Sequence, residues 1–298
     1  MHPTAKRIFG HVAAAVTSQA ESKLQQWPME KSLSFGAGIG RALHRLGTRR
    51  RKRAQENIAM AFPEMGERAV RDLARASFVH FGTVAADFLA GSKRTKEEVE
   101  ALTTHVGLHH LEEALSLGKG AIIATGHFGH WERGAQWLSL HGYPLTAIAR
   151  DANDEGVTKI VNDARRASGT EILSRGDSAT GTLRRLRDNR VIAILADQNA
   201  EDAFLPFFGR MAGVNLGIGV LASRTGAPVL PSCSYYLGNG LVHAEIGSPI
   251  EPLPDVAGRG SGIMLAFHRS FEASIMREPG QWLWFHDRWR YAREAGLR

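Results

Sequence analysis

From Val70 the apolar positions Leu73, Ala74, Phe78, Phe81, Val84, Ala85 and Phe88 recur at helical spacing, and this period predicts an amphipathic helix. Ala54, Ile58 and Ala61 mark a shorter helix ahead of it, ended by Pro63, so the first hundred residues read as helical. After Gly118 the rhythm changes. Short apolar runs at 121–125, 145–149, 191–196, 228–236 and 241–247 predict strands, and amphipathic stretches at 129–141, 155–168, 177–188, 214–225 and 262–277 predict helices between them. Such alternation argues for an α/β fold, a mostly parallel sheet flanked by helices, with a helical N-terminal layer. There is no internal repeat, low-complexity stretch or clean linker. The expectation is one domain over 1–298, with the helical layer in 1–100 and the α/β core in 101–298.

Length and composition fit a soluble-type core, and the formal net charge of +7 points to an anionic partner: nucleic acid, an anionic membrane surface or a phosphorylated substrate. A single cysteine, Cys233, rules out an internal disulfide. The longest run without Asp, Glu, Lys or Arg, Thr225 to Ala244, is broken by Pro228, Pro231 and Gly238-Asn239-Gly240, so it reads as two strands and a hairpin rather than a membrane span. Ile8 to Ala20 is uncharged but too polar for an export signal, and is expected to lie on a membrane as an amphipathic segment. The run Arg49-Arg50-Arg51-Lys52-Arg53 opens a helix, where positive charge opposes the dipole; that local cost suggests an electrostatic role, such as contact with anionic lipid.

The chemistry gathers where strands end. Ala121-Ile122-Ile123-Ala124-Thr125 runs into Gly126-His127, and Glu132 follows five residues later. On one continuous helix five steps of about 100° would hold these two side chains apart, so their meeting requires a strand-to-helix turn, with unbonded N–H groups near Gly129 and His130 beside it. This is the layout of a general base and its orienting carboxylate beside an anion pocket, although a Glu in a first helical turn also complements the helix dipole without any chemistry. Two other predicted strands end in Arg150 and in Asp197-Gln198, and open α/β sheets bind ligands at that edge. Pro206-Phe207-Phe208-Gly209 reads as a loop, either plugged into the core or forming a wall for an apolar chain. The tryptophans of Gln281–Arg290 read as a packed, strand-like run rather than a nucleic-acid stacking platform. His105, His109 and His110 lack metal-ligand spacing, no Gly-x-Ser-x-Gly elbow is present, and Cys233 sits in an apolar strand, so neither a metal nor a covalent nucleophile is expected.

In order and spacing these motifs resemble the bacterial late acyltransferases of lipid A biosynthesis, a family that includes phosphatidylinositol mannoside acyltransferases. The resemblance runs from Arg50-Arg51-Lys52-Arg53, Asn57-Ile58 and Phe62-Pro63-Glu64 through Gly118-Lys119-Gly120 and His127-Phe128-Gly129-His130-Trp131-Glu132. It continues through Asp197-Gln198, Pro206-Phe207-Phe208-Gly209 and Arg224–Val229 to Trp282-Leu283-Trp284-Phe285-His286-Asp287-Arg288-Trp289. It implies a glycerolipid-acyltransferase-like fold and acyl transfer from a thioester carrier, acyl carrier protein or coenzyme A, to a glycolipid hydroxyl. No cofactor is implied. His127 would be the base and Glu132 its orienter, with N–H groups near Gly129 and His130 holding the oxyanion. Arg150 and Arg175 would meet anionic substrate groups, and His130, Trp131, Asp197, Gln198, Phe207 and Phe208 would line the substrate site. Typical lipid A members carry an N-terminal span and an Asn where this chain has His130. The expected place of work is the cytoplasmic face of a bacterial inner membrane, held peripherally, with a mannosylated phosphoinositide as the alternative acceptor. A basic nucleic-acid-binding protein is the rival of another class, and it leaves the His-Glu pair without a use.

Overall fold

The computed structural model describes residues 22–149, 155–174 and 178–297; Ile8 to Ala20, Arg150 and Arg175 lie outside them. After helical residues at 22–26 come three helices: α1 (Met29–Leu46), α2 (Thr48–Ala61) and α3 (Glu67–Ala90). A short α4 (Lys96–Ala101) leads to β1 (Thr103–Val106), α5 (Leu108–Ser116), β2 (Ala121–Thr125), α6 (Trp131–Leu140), β3 (Leu145–Ala149), α7 (Glu155–Ala167), β4 (Glu171–Ser174), α8 (Ser178–Arg187) and β5 (Val191–Leu195). Then come β6 (Ala203–Phe207), β7 (Arg210–Val214), α9 (Gly217–Thr225), β8 (Val229–Gly238), β9 (Leu241–Ile246), α10 (Ser261–Arg277) and α11 (Arg290–Glu294). Among the described residues no helix is long and apolar enough to cross a membrane.

Seven strands form one sheet in the order β1-β9-β8-β2-β5-β3-β4, and every neighbouring pair is parallel except β8 with β9. The expected mostly parallel sheet under helices is therefore present. Its central strands are covered on both faces, which is why β2 and β5 read as unbroken apolar runs. On one face Ile122, Ala124, Ile192 and Val229 pack with Phe267, Phe271, Trp282 and Trp284; on the other Ile123, Val191 and Leu230 pack with Leu111, Trp137 and Leu138.

The strands absent from the sequence reading are β1, β4, β6 and β7. β1 and β4 are four residues long and lie at the sheet edges, and β1 buries only Thr103, so neither leaves an apolar alternation to find. Pro206-Phe207-Phe208-Gly209, read as a loop, belongs to the two-stranded hairpin β6–β7, with Phe208 and Gly209 turning it at φ values of 51° and 69°. Pro206 hid this strand, yet it occupies an exposed position of a two-stranded ribbon, where no neighbour needs its missing N–H. The Gln281–Arg290 run is not a strand either: it leaves a 3-10 turn at Pro279–Gln281 and sinks Trp282, Trp284 and Trp289 into the core at 1%, 0% and 2% exposure.

The N-terminal layer is joined by a close helix crossing. A Cβ on Gly36 would strike the Gly82 carbonyl oxygen, one on Gly40 the Phe78 carbonyl, and one on Gly82 the Gly36 carbonyl, so α1 and α3 meet backbone to backbone. A Cβ on Gly38, on the other side of α1, would meet only the end of the Arg41 side chain, at 3.9 Å. Gly82→Ala is therefore expected to destabilise by about 1–3 kcal/mol, because the crossing must open and this outweighs the roughly 1 kcal/mol that alanine gains in a helix. Gly38→Ala should stabilise by up to about 1 kcal/mol. Urea unfolding of the two variants checks the pair, and equal effects would show that the crossing does not matter.

Candidate active site

β2 and β5 are neighbours in parallel register, with Thr125 opposite Leu195. Two residues beyond that rung on each strand stand His127 and Asp197, and the register alone sets them side by side. The His127 Nδ1–H donates to Asp197 Oδ1 at 2.9 Å, and the His127 backbone N–H donates to Asp197 Oδ2, also at 2.9 Å. Gly126 makes this approach possible, since a Cβ there would press on the Asp197 side chain and on the Phe271 ring. A third donor, the Trp282 indole N–H, reaches Asp197 Oδ2 at 3.0 Å. Asp197 is 3% exposed. Burial by itself would raise its pKa; the His127 charge, the His127 hydrogen bonds and the Trp282 hydrogen bond overcome this and hold the carboxyl down at about 2. With Nδ1 committed to an acceptor, Nε2 is the His127 nitrogen left for chemistry.

His127 lines a cavity of about 770 Å³ at the carboxyl edge of the sheet, together with Trp131, Glu132 and Gln198. Ala193, Ile194, Leu195 and Ala196 all line it; since alternate strand residues face opposite ways, the cavity wraps the end of β5 and reaches both faces of the sheet. One arm runs past Ile123, Leu138 and Ser234, the other past Ile148, Leu183 and Leu221, and both walls are mainly apolar.

Several expected placements are corrected. Glu132 does not orient His127. Both its oxygens go elsewhere: Arg165 of α7 donates from Nε to Oε2 at 3.0 Å and from the guanidinium terminus to Oε1, and the Trp131 indole N–H donates to Oε1 at 3.0 Å. The Trp131 ring in turn meets the His127 ring edge-on at 5.3 Å, so Glu132 reaches the histidine only through that indole. The N–H groups of Gly129 and His130 are not available to an oxyanion either, because they donate to the carbonyls of Gln281 and Ser234. His130 lies outside the cavity: it is 1% exposed, its Nε2–H donates to Asp87 Oδ2 at 2.8 Å, and its Nδ1 accepts from the Arg133 backbone N–H. Phe207 and Phe208 do not line the cavity. Phe207 is 1% exposed beneath Trp282 and Trp289, and Phe208 packs on Phe62 and Trp284, because the hairpin turns both rings inward. Arg150 and Arg175 lie outside the described residues. Trp282 was the participant read only as packing; its indole N–H was the sole signal, since a buried Trp normally finds an acceptor.

The surroundings tie the N-terminal layer to this turn. The His80 Nε2–H of α3 donates to the Gly129 carbonyl at 3.0 Å, and Ser77 donates to the Trp282 carbonyl at 2.6 Å. Asn57 of α2 holds the carbonyls of Trp284 and His286 at 2.8 and 2.7 Å. Asp87, also on α3, accepts from Arg94 at 2.6 Å, from Arg133 at 2.9 Å and from His130. Cys233 is buried, and burial pushes its thiol up to about 12, so it offers no thiolate. Among the described residues no three His, Cys, Asp or Glu side chains gather as a metal site.

A family model described as bacterial lipid A biosynthesis acyltransferase matches residues 17–291. A phosphatidylinositol mannoside acyltransferase of Mycobacterium tuberculosis is 30% identical over 190 residues, 61% of this chain, and the match spans only 58% of that relative's length. The protein of the same description in Mycolicibacterium smegmatis is 26% identical over 266 residues, 86% of this chain and 84% of its own length. The lipid A biosynthesis lauroyltransferase of Escherichia coli K12 is 23% identical over 272 residues, 89% of this chain and 87% of its own. Among solved structures, a 1-acyl-sn-glycerophosphate acyltransferase from Thermotoga maritima aligns with a TM-score of 0.38 at 13% identity, over 76% of this chain and 92% of that one.

Burial also sets an acid limit. His80 and His286 are lowered to about 4, and His268 to about 3, by burial first of all. Between about pH 4 and the ordinary histidine value near 6.5 the unfolded chain takes up these protons and the folded chain does not. Stability therefore falls as the pH drops through that window, by up to about 1.4 kcal/mol per pH unit for each histidine. Asp197, held at about 2 in the folded chain, adds to this loss only below about pH 5, where the unfolded carboxyl begins to take up its proton. Urea unfolding at pH 7, 6 and 5 measures it, and a flat profile would contradict the buried neutral histidines.

Proposed function

The chain belongs to the bacterial lipid A biosynthesis acyltransferase family, and on that premise we propose that it transfers a fatty acyl chain from an acyl thioester to a hydroxyl of a membrane glycolipid. The observation that carries this reading is a histidine whose Nδ1 is locked by a buried carboxylate, at the mouth of a cavity of about 770 Å³ with apolar arms. In the proposed reaction His127 Nε2 takes the proton of the acceptor hydroxyl while its oxygen attacks the thioester carbonyl. The tetrahedral intermediate collapses with rupture of the C–S bond, and the proton on His127 passes to the departing thiolate. Asp197 is the positioning residue: it fixes the tautomer and balances the imidazolium that forms. Gln198, next in the chain and lining the cavity, supplies an amide donor for the oxyanion. An apolar arm takes the acyl chain.

Glu132 keeps a supporting part, holding Trp131 over His127 and α7 against the site through Arg165. The donor is an acyl thioester of acyl carrier protein or coenzyme A. A lipid A type acceptor is the first reading, and a phosphatidylinositol mannoside the second, favoured by the 30% identity to the mycobacterial relative. Work at the cytoplasmic face of the inner membrane, with peripheral attachment, is supported by the lipid acceptor and by the run Arg49–Arg53. A nucleic-acid-binding role leaves the His127–Asp197 pair unused. Mass spectrometry of lipids from cells with and without the gene identifies chain and acceptor together; an unchanged lipid profile would count against the reading.

Thiol release from acyl thioester in detergent micelles with extracted glycolipid separates the two possible pairings. His127→Ala and Asp197→Asn should each lower turnover by on the order of 10²-fold or more with the fold intact. Glu132→Gln should cost about tenfold or less, because it acts through the Trp131 ring. A large loss in Glu132→Gln beside near-normal Asp197→Asn would return the orienting role to Glu132.

A further inference from the structure

Helix α1 carries apolar side chains on two sides. One side, with Leu33, Gly36 and Gly40, is buried against α3. Beside it Phe35, Ile39, Leu43 and Leu46 stand 42%, 43%, 51% and 78% exposed. Steps of about 100° place these four within an arc of roughly 80°, so they form one continuous band rather than scattered single residues. Scattered exposed leucines are ordinary; a band of large side chains on one helix marks a surface made for something other than water. Trp27 and Lys31 continue it at its start: the Trp27 ring meets Phe35 edge-on at 5.5 Å, and Lys31 Nζ lies 4.3 Å from the Trp27 ring centre. An indole with a cation beside an apolar band is the composition found at a membrane–water boundary.

Charge chooses the occupant. Between Glu30 and Glu56 the chain has no acidic residue, while Lys31, Arg41, Arg45, Arg49, Arg50, Arg51, Lys52 and Arg53 are all cationic. Arg51 turns back to donate to the carbonyls of His44 and Arg45 at 3.1 and 3.0 Å, which fastens the basic start of α2 to the end of α1. Arg45, Arg49 and Arg50 are exposed at that junction, next to Leu46. Resting on the reading that the acceptor is a membrane lipid, we propose that the α1 band docks the protein on an anionic bilayer, with Phe35, Ile39, Leu43 and Leu46 among the acyl chains and Arg45, Arg49 and Arg50 on lipid phosphates. The docking helix is rigidly connected to the chemistry, because α3, which α1 grips, holds the Gly129 carbonyl through His80 and packs Phe81 on Trp131 at 5.7 Å.

The test is co-sedimentation of the full chain with phosphatidylethanolamine–phosphatidylglycerol vesicles and with phosphatidylcholine vesicles, for the wild type and for F35S/I39S/L43S. Binding should be confined to the anionic vesicles and should fall on the order of 100-fold in the triple variant, with circular dichroism and thiol release in detergent micelles unchanged. Binding of the triple variant within twofold of wild type overturns the proposal. So does a change from dimer to monomer in light scattering, which makes the band a subunit interface. A second readout does not require removing the band: Cys233 is buried and unreactive, so Leu43→Cys takes a polarity-sensitive dye at one place. Its emission should shift to the blue on anionic vesicles, and the same dye on Leu117→Cys, at an exposed leucine of the α/β core, should not. Equal shifts at both positions, or none at Leu43, overturn the proposal. Failure of the acyl-transfer reading shows separately, as no glycolipid-dependent thiol release by the wild type in micelles with vesicle binding intact.

Discussion

One buried carboxylate organises the site. A charge such as that of Asp197, removed from water, is costly unless donors replace its hydration, and here three N–H groups do so. Two of them belong to His127, one on the ring and one on the backbone, so the carboxylate fixes the turn after β2 as well as the imidazole. The third belongs to Trp282, so the same carboxylate anchors the C-terminal segment. That segment is held from behind by Ser77 and Asn57 of the helical layer, which makes the layer part of the support of the histidine.

A second buried ionic cluster binds α3 to the start of α6. Burial would raise the Asp87 pKa, but the hydrogen bond and charge of His130 and the charges of Arg133 and Arg94 outweigh it and hold the carboxyl well below the usual range. Arg133 Nε has no hydrogen-bond partner, a local cost of burial. The gain is positional: Asp87 and His80 grip both sides of Gly129, one through His130 and the other through the Gly129 carbonyl. His130 and the N–H groups near it are thereby committed to structure, and the reacting groups must come from the cavity side of the turn.

On that side polar and apolar duties are separated. Glu132, Arg165 and Trp131 form a closed set of hydrogen bonds next to His127, while the arms of the cavity are lined by aliphatic side chains from both faces of the sheet. A long apolar chain gains by entering such arms, and the reacting carbonyl then stays at the rim with the histidine. The same helices that stiffen the turn present the exposed band of α1, so binding to a surface and chemistry share one rigid support.

Much of this was legible in the chain, because periodicity and punctuation are local. The run Ala121–Thr125 stops at His127, a second strand stops at Asp197, and the helices of the first hundred residues repeat at helical spacing; these follow from residue order alone. What residue order leaves open is which strand ends are neighbours. Spacing along the chain offered His127 the nearer carboxylate, Glu132, but sheet order set β5 beside β2 and brought Asp197 across 70 residues, while α6 turned Glu132 toward α7. The rings of Phe207 and Phe208 went to the core for the same kind of reason, since a hairpin that packs on Trp282 and Trp284 decides their direction. An element is specified by contacts between residues a few positions apart; the partner of a side chain is specified by long-range pairing of whole elements, and only the folded chain contains that information.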